Sequence, residues 1–292
     1  MLKIDIYSIM VNQLESVELT PILDSKLITP TISKLYDIKV VKCGDYVQVY
    51  NYENKKIRNR KEVNSDLNLN KLKISGIFDK KNKSDIDKID GCTIEQRNII
   101  RSKLECQRIA KSNMQDWCTF ITLTFKENLI DIELANKKFR YFIDKIRRVK
   151  KDFKYLCIPE FQKRGAVHYH MLCNISYENN ELLYVQEDNP LYKHIKYWND
   201  GFSSIEPIKG DFKKIIGYIS KYMTKDIDNR LFGHRRYFYS TNLIKPVSSY
   251  IDTSNIKDFN FYKKIIQDKE LIYQNNYLNT YDNTNVTFLE LI

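Results

Sequence analysis

The stretch Glu160–Leu172, EFQKRGAVHYHML, constrains the fold most, because its pattern fits two strands joined by a tight turn. Residues 163–165, Lys-Arg-Gly, carry the turn chemistry, since glycine adopts the positive φ that short hairpin turns need. Side chains at i and i+2 of a strand point to the same face, so His168 and His170 are expected to lie on one face. Counting outward from the turn places Glu160 opposite His168, on that same face.

Two imidazoles and one carboxylate on one face are a donor set for a divalent metal ion. This set suits Mg²⁺ or Mn²⁺, with a phosphate and waters completing the coordination shell. A closed zinc site would want four protein ligands, usually with cysteines, and no cysteine stands at ligand spacing here. The sequence therefore predicts a catalytic metal site at Glu160, His168 and His170. The alternative is that the two histidines reflect strand packing alone.

A second stretch, 212–226, has the apolar period of a helix that buries one stripe against a sheet. On such a helix Tyr218 and Tyr222 lie one turn apart, and each is followed three residues later by a lysine, Lys221 or Lys225. A tyrosine hydroxyl becomes an effective nucleophile when a metal polarises the phosphate and an ammonium lies nearby. The alternative is an ordinary amphipathic helix in a chain that has 21 tyrosines.

Three motifs occur in one order along the chain: Phe120–Phe125 (FITLTF), Gly165–Leu172 (GAVHYHML) and Tyr218–Lys225 (YISKYMTK). With them the chain resembles the HUH superfamily of single-strand DNA endonucleases, specifically the rolling-circle replication initiators of plasmids and small phages. The tandem tyrosines are similar to those of the gene A replication proteins of microviruses. The resemblance covers roughly residues 93–246.

The resemblance implies a reaction and a role for each motif residue. A tyrosine would attack a phosphodiester of single-stranded or extruded origin DNA and leave a 5′-phosphotyrosine and a free 3′-hydroxyl, which can prime a polymerase. The second tyrosine or the returning 3′ end would later rejoin the strand. The implied roles are metal ligation by His168, His170 and Glu160, nucleophilic attack by Tyr218 and Tyr222, and phosphate or ion contact by Lys221 and Lys225.

The net charge of +11 and the sequence pI of about 9.1 fit a polyanionic partner. Basic residues cluster on a predicted helix at 131–150 and in the run Lys55–Lys61, which Tyr50 and Tyr52 precede as stacking platforms. For each cluster a solvated charged face is the alternative. The predicted DNA-binding residues are Lys55, Lys56, Arg58, Arg60, Arg140, Arg147, Arg148, Lys151 and Arg164.

The order of elements predicts an α+β fold, an antiparallel sheet with helices on one face, and the resemblance implies an RRM-like, ferredoxin-like core. Three regions are expected: a β-rich N-terminal extension with a possible DNA-binding role at 1–90, an endonuclease core at 91–250, and a C-terminal extension of unknown role at 251–292. Predicted core elements are strands at 117–125, 153–161, 166–174 and 203–208 and helices at 131–150 and 211–225.

Six cysteines show no paired spacing and are expected to be reduced, buried thiols. No signal peptide and no long apolar span is visible, which favours the cytoplasm of a bacterial host. No GxxxxGK[ST] motif occurs, so a host helicase or supercoiling is expected to open the duplex, and a host DNA polymerase is expected to extend the 3′ end.

Three other functions are compatible with the same residues. A relaxase or transposase of a mobile element would use the same chemistry on other DNA. A DNA-binding autorepressor would keep the basic fold without catalysis, although the intact ligands and both tyrosines argue against decay of the site. A metallo-phosphoesterase would use water as its nucleophile and would not need the tyrosines.

Overall fold

A computed structural model describes residues 35–58, 94–187, 189–208, 231, 233–279 and 283–292. Its described strands form two antiparallel sheets that are accompanied by helices, which confirms the predicted α+β class. The chain divides into two compact units. The described residues of the terminal unit lie within Met1–Lys42, Tyr46–Asp79 and Val247–Ile292, and those of the central unit lie within Cys43–Asp45 and Lys80–Pro246.

The central unit contains two described helices and seven described strands. Asp131 begins the second helix because its carboxylate accepts hydrogen bonds from the backbone N–H groups of Glu133 and Leu134. In chain order the elements are α1 (Ile94–Ser112), β3 (Thr119–Thr124), α2 (Ile132–Val149), β4 (Tyr155–Phe161), β5 (Val167–Cys173), β6 (Leu183–Gln186), β7 (Asn189–Ile195), β8 (Ser203–Pro207) and β9 (Phe238–Tyr239).

The sheet of the central unit has the strand order β6-β7-β8-β3-β5-β4-β9, so β3, β5 and β4 lie near its middle. Helix α2 buries Phe139, Phe142 and Ile146 against one face of this sheet. Helix α1 packs against the opposite face through Cys106 and Ile109. The sequence indicated helices on one face only, and it also placed Leu134 of α2 in the core, where the structure leaves that side chain 42% exposed.

The terminal unit contains β1 (Leu35–Cys43), β2 (Tyr46–Ile57), β10 (Val247–Ile251), α3 (Ile256–Ile266), β11 (Leu271–Asn279) and β12 (Thr284–Leu291). Its sheet has the strand order β10-β1-β2-β12-β11. Strands from both ends of the chain therefore alternate in one sheet, because β12 pairs with β2 and β10 pairs with β1. The sequence analysis treated these two chain ends as separate extensions.

The structure differs from the predicted elements mainly after residue 250. A helix was predicted near 257–271, but α3 ends at Ile266 and β11 begins at Leu271. Asp268 has φ of 63°, a left-handed conformation that a helix cannot continue through. The predicted helix at 211–225 lies outside the described residues.

Candidate metal and nucleophile site

The hairpin that carries the predicted metal ligands has the expected register. Glu160 on β4 pairs with His168 on β5, and Ile158 pairs with His170. Gly165 has φ of 93°, as the turn requires, and its N–H donates to the carbonyl of Gln162 at 2.8 Å. Glu160, His168 and His170 therefore project from one face of two adjacent strands.

His170 is held by neighbours on both ring nitrogens. Because a carboxylate can only accept, Nε2 of His170 donates to Oε2 of Glu160 at 2.8 Å. Its Nδ1 lies 3.3 Å from the hydroxyl of Thr122, which pairs with His170 across β3 and β5. The ring also stacks on Phe120 with centroids 6.0 Å apart. These contacts fix the orientation of the imidazole.

His168 is buried, with 5% of its surface exposed, and its ring centroid lies 6.3 Å from that of His170. Its Nε2 is buried and has no hydrogen-bond partner within the part of the chain that the structure describes. Burial, followed by the neighbouring His170, lowers the pKa of His168 to about 4, with Glu160 acting in the opposite direction. The imidazole is therefore neutral near pH 7 and keeps a lone pair available.

The three predicted ligands share a face but do not form a ready metal cluster. Within the described ranges, no group of three or more His, Cys, Asp or Glu side chains is arranged to hold a metal ion. Nε2 of His170 is instead engaged by Glu160 at 2.8 Å. The donor set still fits a divalent ion, because metal ligation needs deprotonated donors and the unpartnered Nε2 of His168 is one of them.

The segment with the predicted nucleophiles and lysines, Tyr218, Tyr222, Lys221 and Lys225, lies outside the described residues. The described chain before it ends at Ile208, directly after β8. Ile208 packs against the apolar cluster that contains Phe120 and Leu172, which share a face with the two histidines. Ile208 therefore lies on the histidine side of the sheet.

The end of β3 beside the histidines is held by a close backbone approach that the sequence analysis did not single out. The N–H of Trp198 Nε1 donates to the carbonyl of Thr124 at 2.9 Å, and Thr124 pairs with His168. A Cβ at Gly201 would lie 2.2 Å from that same carbonyl oxygen, so only glycine fits there. The segment Trp198–Gly201 thus supports the strand next to the metal-binding face.

The predicted DNA-binding residues lie in separate places. Arg140, Arg147, Arg148 and Lys151 belong to α2 or directly follow it, and α2 packs on the sheet face opposite the histidines. The structure therefore does not bring them to the metal-binding face. Arg164 lies in the hairpin turn, and its positive charge contributes to the low pKa of His168.

The remaining predicted DNA-binding residues are in the terminal unit. Lys55 is engaged in an ion pair with Asp252 at 2.6 Å and a hydrogen bond to Ser254 at 2.7 Å. Lys56 lies over the ring of Tyr52, with its Nζ 5.3 Å from the centroid, and Arg58 lies 4.9 Å from the ring centroid of Tyr250. Arg60 is outside the described residues.

The cysteines and one histidine depart from expectation in part. Four described cysteines are buried free thiols, as predicted, whereas Cys118 is exposed. Cys92 lies outside the described residues. His194 is 1% exposed, although an imidazole at that position was expected at the surface, because its ring packs between Tyr184 and Phe202 at centroid distances of 5.6 and 4.9 Å. The four buried cysteines are Cys43, Cys106, Cys157 and Cys173.

Comparisons with known proteins cover the part of the chain that carries this site. Residues 118–227 match a family model described as replication-associated protein, of the ORF2 group. The phasyl DNA replicon protein arp of Escherichia coli is 27% identical over 127 residues, which cover 38% of this chain and 44% of that protein. The matched part is thus less than half of that relative's length. No solved structure gives a significant match.

The matched span contains β3, α2, β4 and β5 and, in sequence, both predicted tyrosines. The class that the α+β fold and these similarities point to is a replication-associated protein. None of the described helices has the length and apolar character that crossing a membrane requires.

Proposed function

We propose that this chain is a replication initiator that nicks and joins single-stranded DNA at a replication origin. The observation that carries the proposal is the face shared by Glu160, His168 and His170, because it lies in a span similar to replication-associated proteins. The unpartnered Nε2 of His168 adds a neutral, buried donor that packing alone does not use.

Glu160, His168 and His170 are proposed to hold Mg²⁺ or Mn²⁺, which would polarise the scissile phosphate. Ligation through Nε2 of His170 requires that nitrogen to give up its proton and its bond to Glu160, since ligation needs the lone pair. Glu160 would then be released from the imidazole as a further oxygen donor. Thr122 would continue to orient the ring through Nδ1.

The proposed reaction is a transesterification that conserves the phosphodiester bond energy. The hydroxyl of Tyr218 or Tyr222 attacks phosphorus, a bond from phosphorus to the tyrosine oxygen forms, and the bond to the 3′ oxygen breaks. The tyrosine proton leaves to a base or water, and the departing oxygen takes up a proton to become a free 3′-hydroxyl. Lys221 and Lys225 are proposed to steady the phosphate charge. The reverse attack rejoins the strand.

The proposed partners follow from this reaction. Origin DNA is the substrate, a host helicase opens the duplex, and a host polymerase extends the 3′-hydroxyl in the bacterial cytoplasm. Arg164, in the turn beside His168, is proposed to contact the DNA backbone at the site. Arg140, Arg147, Arg148 and Lys151 are proposed to contact DNA that extends beyond the site, because α2 is on the other face of the sheet.

The test is cleavage of a labelled pool of single-stranded oligonucleotides, taken from replicon DNA, in the presence of Mn²⁺. We expect the double variant Tyr218→Phe/Tyr222→Phe and the single variant His168→Ala each to lose at least about 1,000-fold in cleavage rate. The matched control is Tyr184→Phe, an exposed tyrosine of β6 in the same unit, which should cleave as the unchanged chain does. Metal-dependent cleavage that persists in the double variant would contradict a tyrosine nucleophile and favour water.

A further inference from the structure

The terminal unit has one sheet face that is covered by a helix and one that is not covered by it. The helix-covered face packs Val47 and Val49 of β2 and Ile251 of β10 against α3 in one apolar cluster. Because side chains alternate along a strand, Tyr50 and Tyr250 project to the other face. This other face carries the feature from which the inference is drawn.

Aromatic rings form a continuous group on this face at the β10 side of the sheet. The ring of Tyr36 lies 4.9 Å from that of Tyr250 and 5.8 Å from that of Tyr52, both with edge-to-face geometry. These three rings come from β1, β10 and β2, three strands that are neighbours in the sheet. Aromatic pairs at such distances hold one another in fixed orientations.

A second group of rings lies at the β11 side of the same face. The ring of Phe288 lies 4.9 Å from that of Tyr50, with which it pairs across β12 and β2, and 6.0 Å from that of Tyr273 on β11. Tyr277 pairs with Val286, which in turn pairs with Tyr52, so Tyr277 also points to this face. The two groups together span all five strands.

The rings of β11 are the most accessible of the set. Tyr273 is 52% exposed and Tyr277 is 41% exposed, and Asn275 lies between them on the same face. Burial and the neighbouring Tyr50 raise the pKa of Tyr277, so its phenol stays neutral near pH 7 and does not repel an anion. Exposed aromatic rings beside an amide are the groups on which nucleic-acid bases stack and form hydrogen bonds.

Cations lie beside the rings on this face. Lys39 and Arg58 both lie over the ring of Tyr250, at 5.7 and 4.9 Å from its centroid, and Lys56 lies 5.3 Å from the ring centroid of Tyr52. A strand of nucleic acid places a phosphate next to each base, so rings and cations side by side match its two alternating groups. A protein partner would have no need for this alternation.

We propose that the aromatic face of the terminal unit binds single-stranded DNA, with bases stacked on Tyr273 and Tyr277 and phosphates near Lys39, Lys56 and Arg58. Duplex DNA would bind less well, because its bases are already stacked and paired inside the helix. This binding uses residues of the terminal unit alone and does not depend on the proposed nicking reaction of the central unit.

The test measures binding of the full-length protein to a fluorescent oligothymidine of about 20 nucleotides in EDTA, where metal-dependent cleavage cannot occur. We expect Tyr273→Ala/Tyr277→Ala to weaken binding at least about tenfold, since each lost stacking contact weakens binding severalfold or more. The matched variant Tyr273→Phe/Tyr277→Phe keeps the rings and should bind as the unchanged chain does. The control Tyr184→Ala removes an exposed tyrosine from the other unit and should also leave binding unchanged.

Three outcomes would overturn the proposal: unchanged binding in the double alanine variant, an equal loss in Tyr184→Ala, or equally tight binding of a duplex of the same length. A second measurement avoids any misfolding of the variants. Photo-crosslinking of a bromodeoxyuridine oligonucleotide to the unchanged chain should label the peptide that contains β11. Crosslinks confined to the central unit would also overturn the proposal. Loss of nicking with intact binding in EDTA would count against the proposed function alone.

Discussion

At the scale of single residues, burial decides the chemical state of the groups at the candidate site. Nε2 of His168 is buried without a described partner, and its low pKa keeps the ring neutral. His170 differs because Glu160 and Thr122 engage both of its nitrogens. One histidine is therefore an available donor and the other is a held donor.

The low pKa of His168 predicts a pH dependence of stability in EDTA. The unfolded imidazole takes up a proton as pH falls below about 6.5, whereas the folded one does so only near 4. The free energy of unfolding should therefore fall over that window, by about 1 to 2 kcal/mol once solvent screening is allowed for. Urea denaturation of the unchanged chain and of His168→Gln at several pH values measures this component. The same pH dependence in both proteins would contradict a buried neutral His168.

The cysteines give a prediction about thiol reactivity. Burial raises the pKa of Cys173 to about 11, although the hydroxyl of Thr119 acts in the opposite direction, and Cys118 is exposed. Iodoacetamide at pH 8 should therefore alkylate Cys118 in the folded protein while Cys173 stays unmodified. Mass spectrometry of the two peptides, with a urea-unfolded sample as control, measures both rates. Equal labelling of Cys118 and Cys173 in the folded protein would be inconsistent with the buried position of Cys173.

At the scale of elements, the hairpin was predictable because its information is local. The glycine turn and the strand alternation fix the register that brings Glu160 opposite His168, and the structure has that register. The strands β10, β11 and β12 were not predicted, because Tyr- and Asn-rich segments lack a clear apolar alternation. Their positions depend on a sheet that β1 and β2 begin, far earlier in the chain. Such distant pairing leaves no local signal in one sequence.

The close approach of Gly201 to β3 predicts a steric effect on the metal-binding face. A methyl group would meet the carbonyl oxygen of Thr124, so Gly201→Ala should lower the free energy of unfolding by about 1 to 3 kcal/mol. Gly201→Val should lower it further, because the larger side chain must displace the backbone more. Thermal denaturation of both variants measures the series. A harmless Gly201→Val would show that the backbones are not in close contact.

At the scale of the whole molecule, the chain ends cooperate in one unit while the candidate site lies in the other. The α+β class and the core elements of the central unit followed from local patterns, but the shared terminal sheet did not. The face opposite α3 likewise could not be predicted, because only Tyr50 and Tyr52 stood near a basic run in the sequence. The other rings come from strands that the sequence did not indicate.

The shared sheet predicts what removal of residues 251–292 does to the N-terminal strands. The deletion removes β12, the neighbour of β2, together with α3, which covers Val47 and Val49. Exposed apolar side chains and unpaired backbone groups should then destabilise β1 and β2. Hydrogen exchange should show rapid exchange of the backbone amides at 46–52 in the truncated chain and slow exchange in the full chain. Retained protection of these amides would contradict a shared sheet.

The measurement that tests the central claim most directly is a search for a covalent protein–DNA adduct. The chain is incubated with Mn²⁺ and single-stranded replicon oligonucleotides, denatured, and mapped by mass spectrometry. The account predicts a phosphodiester link from Tyr218 or Tyr222 to the 5′ end of one product, with an extendable 3′-hydroxyl on the other, and loss of both in EDTA and in His168→Ala. Cleavage without any adduct, or an adduct on a different residue, would contradict it.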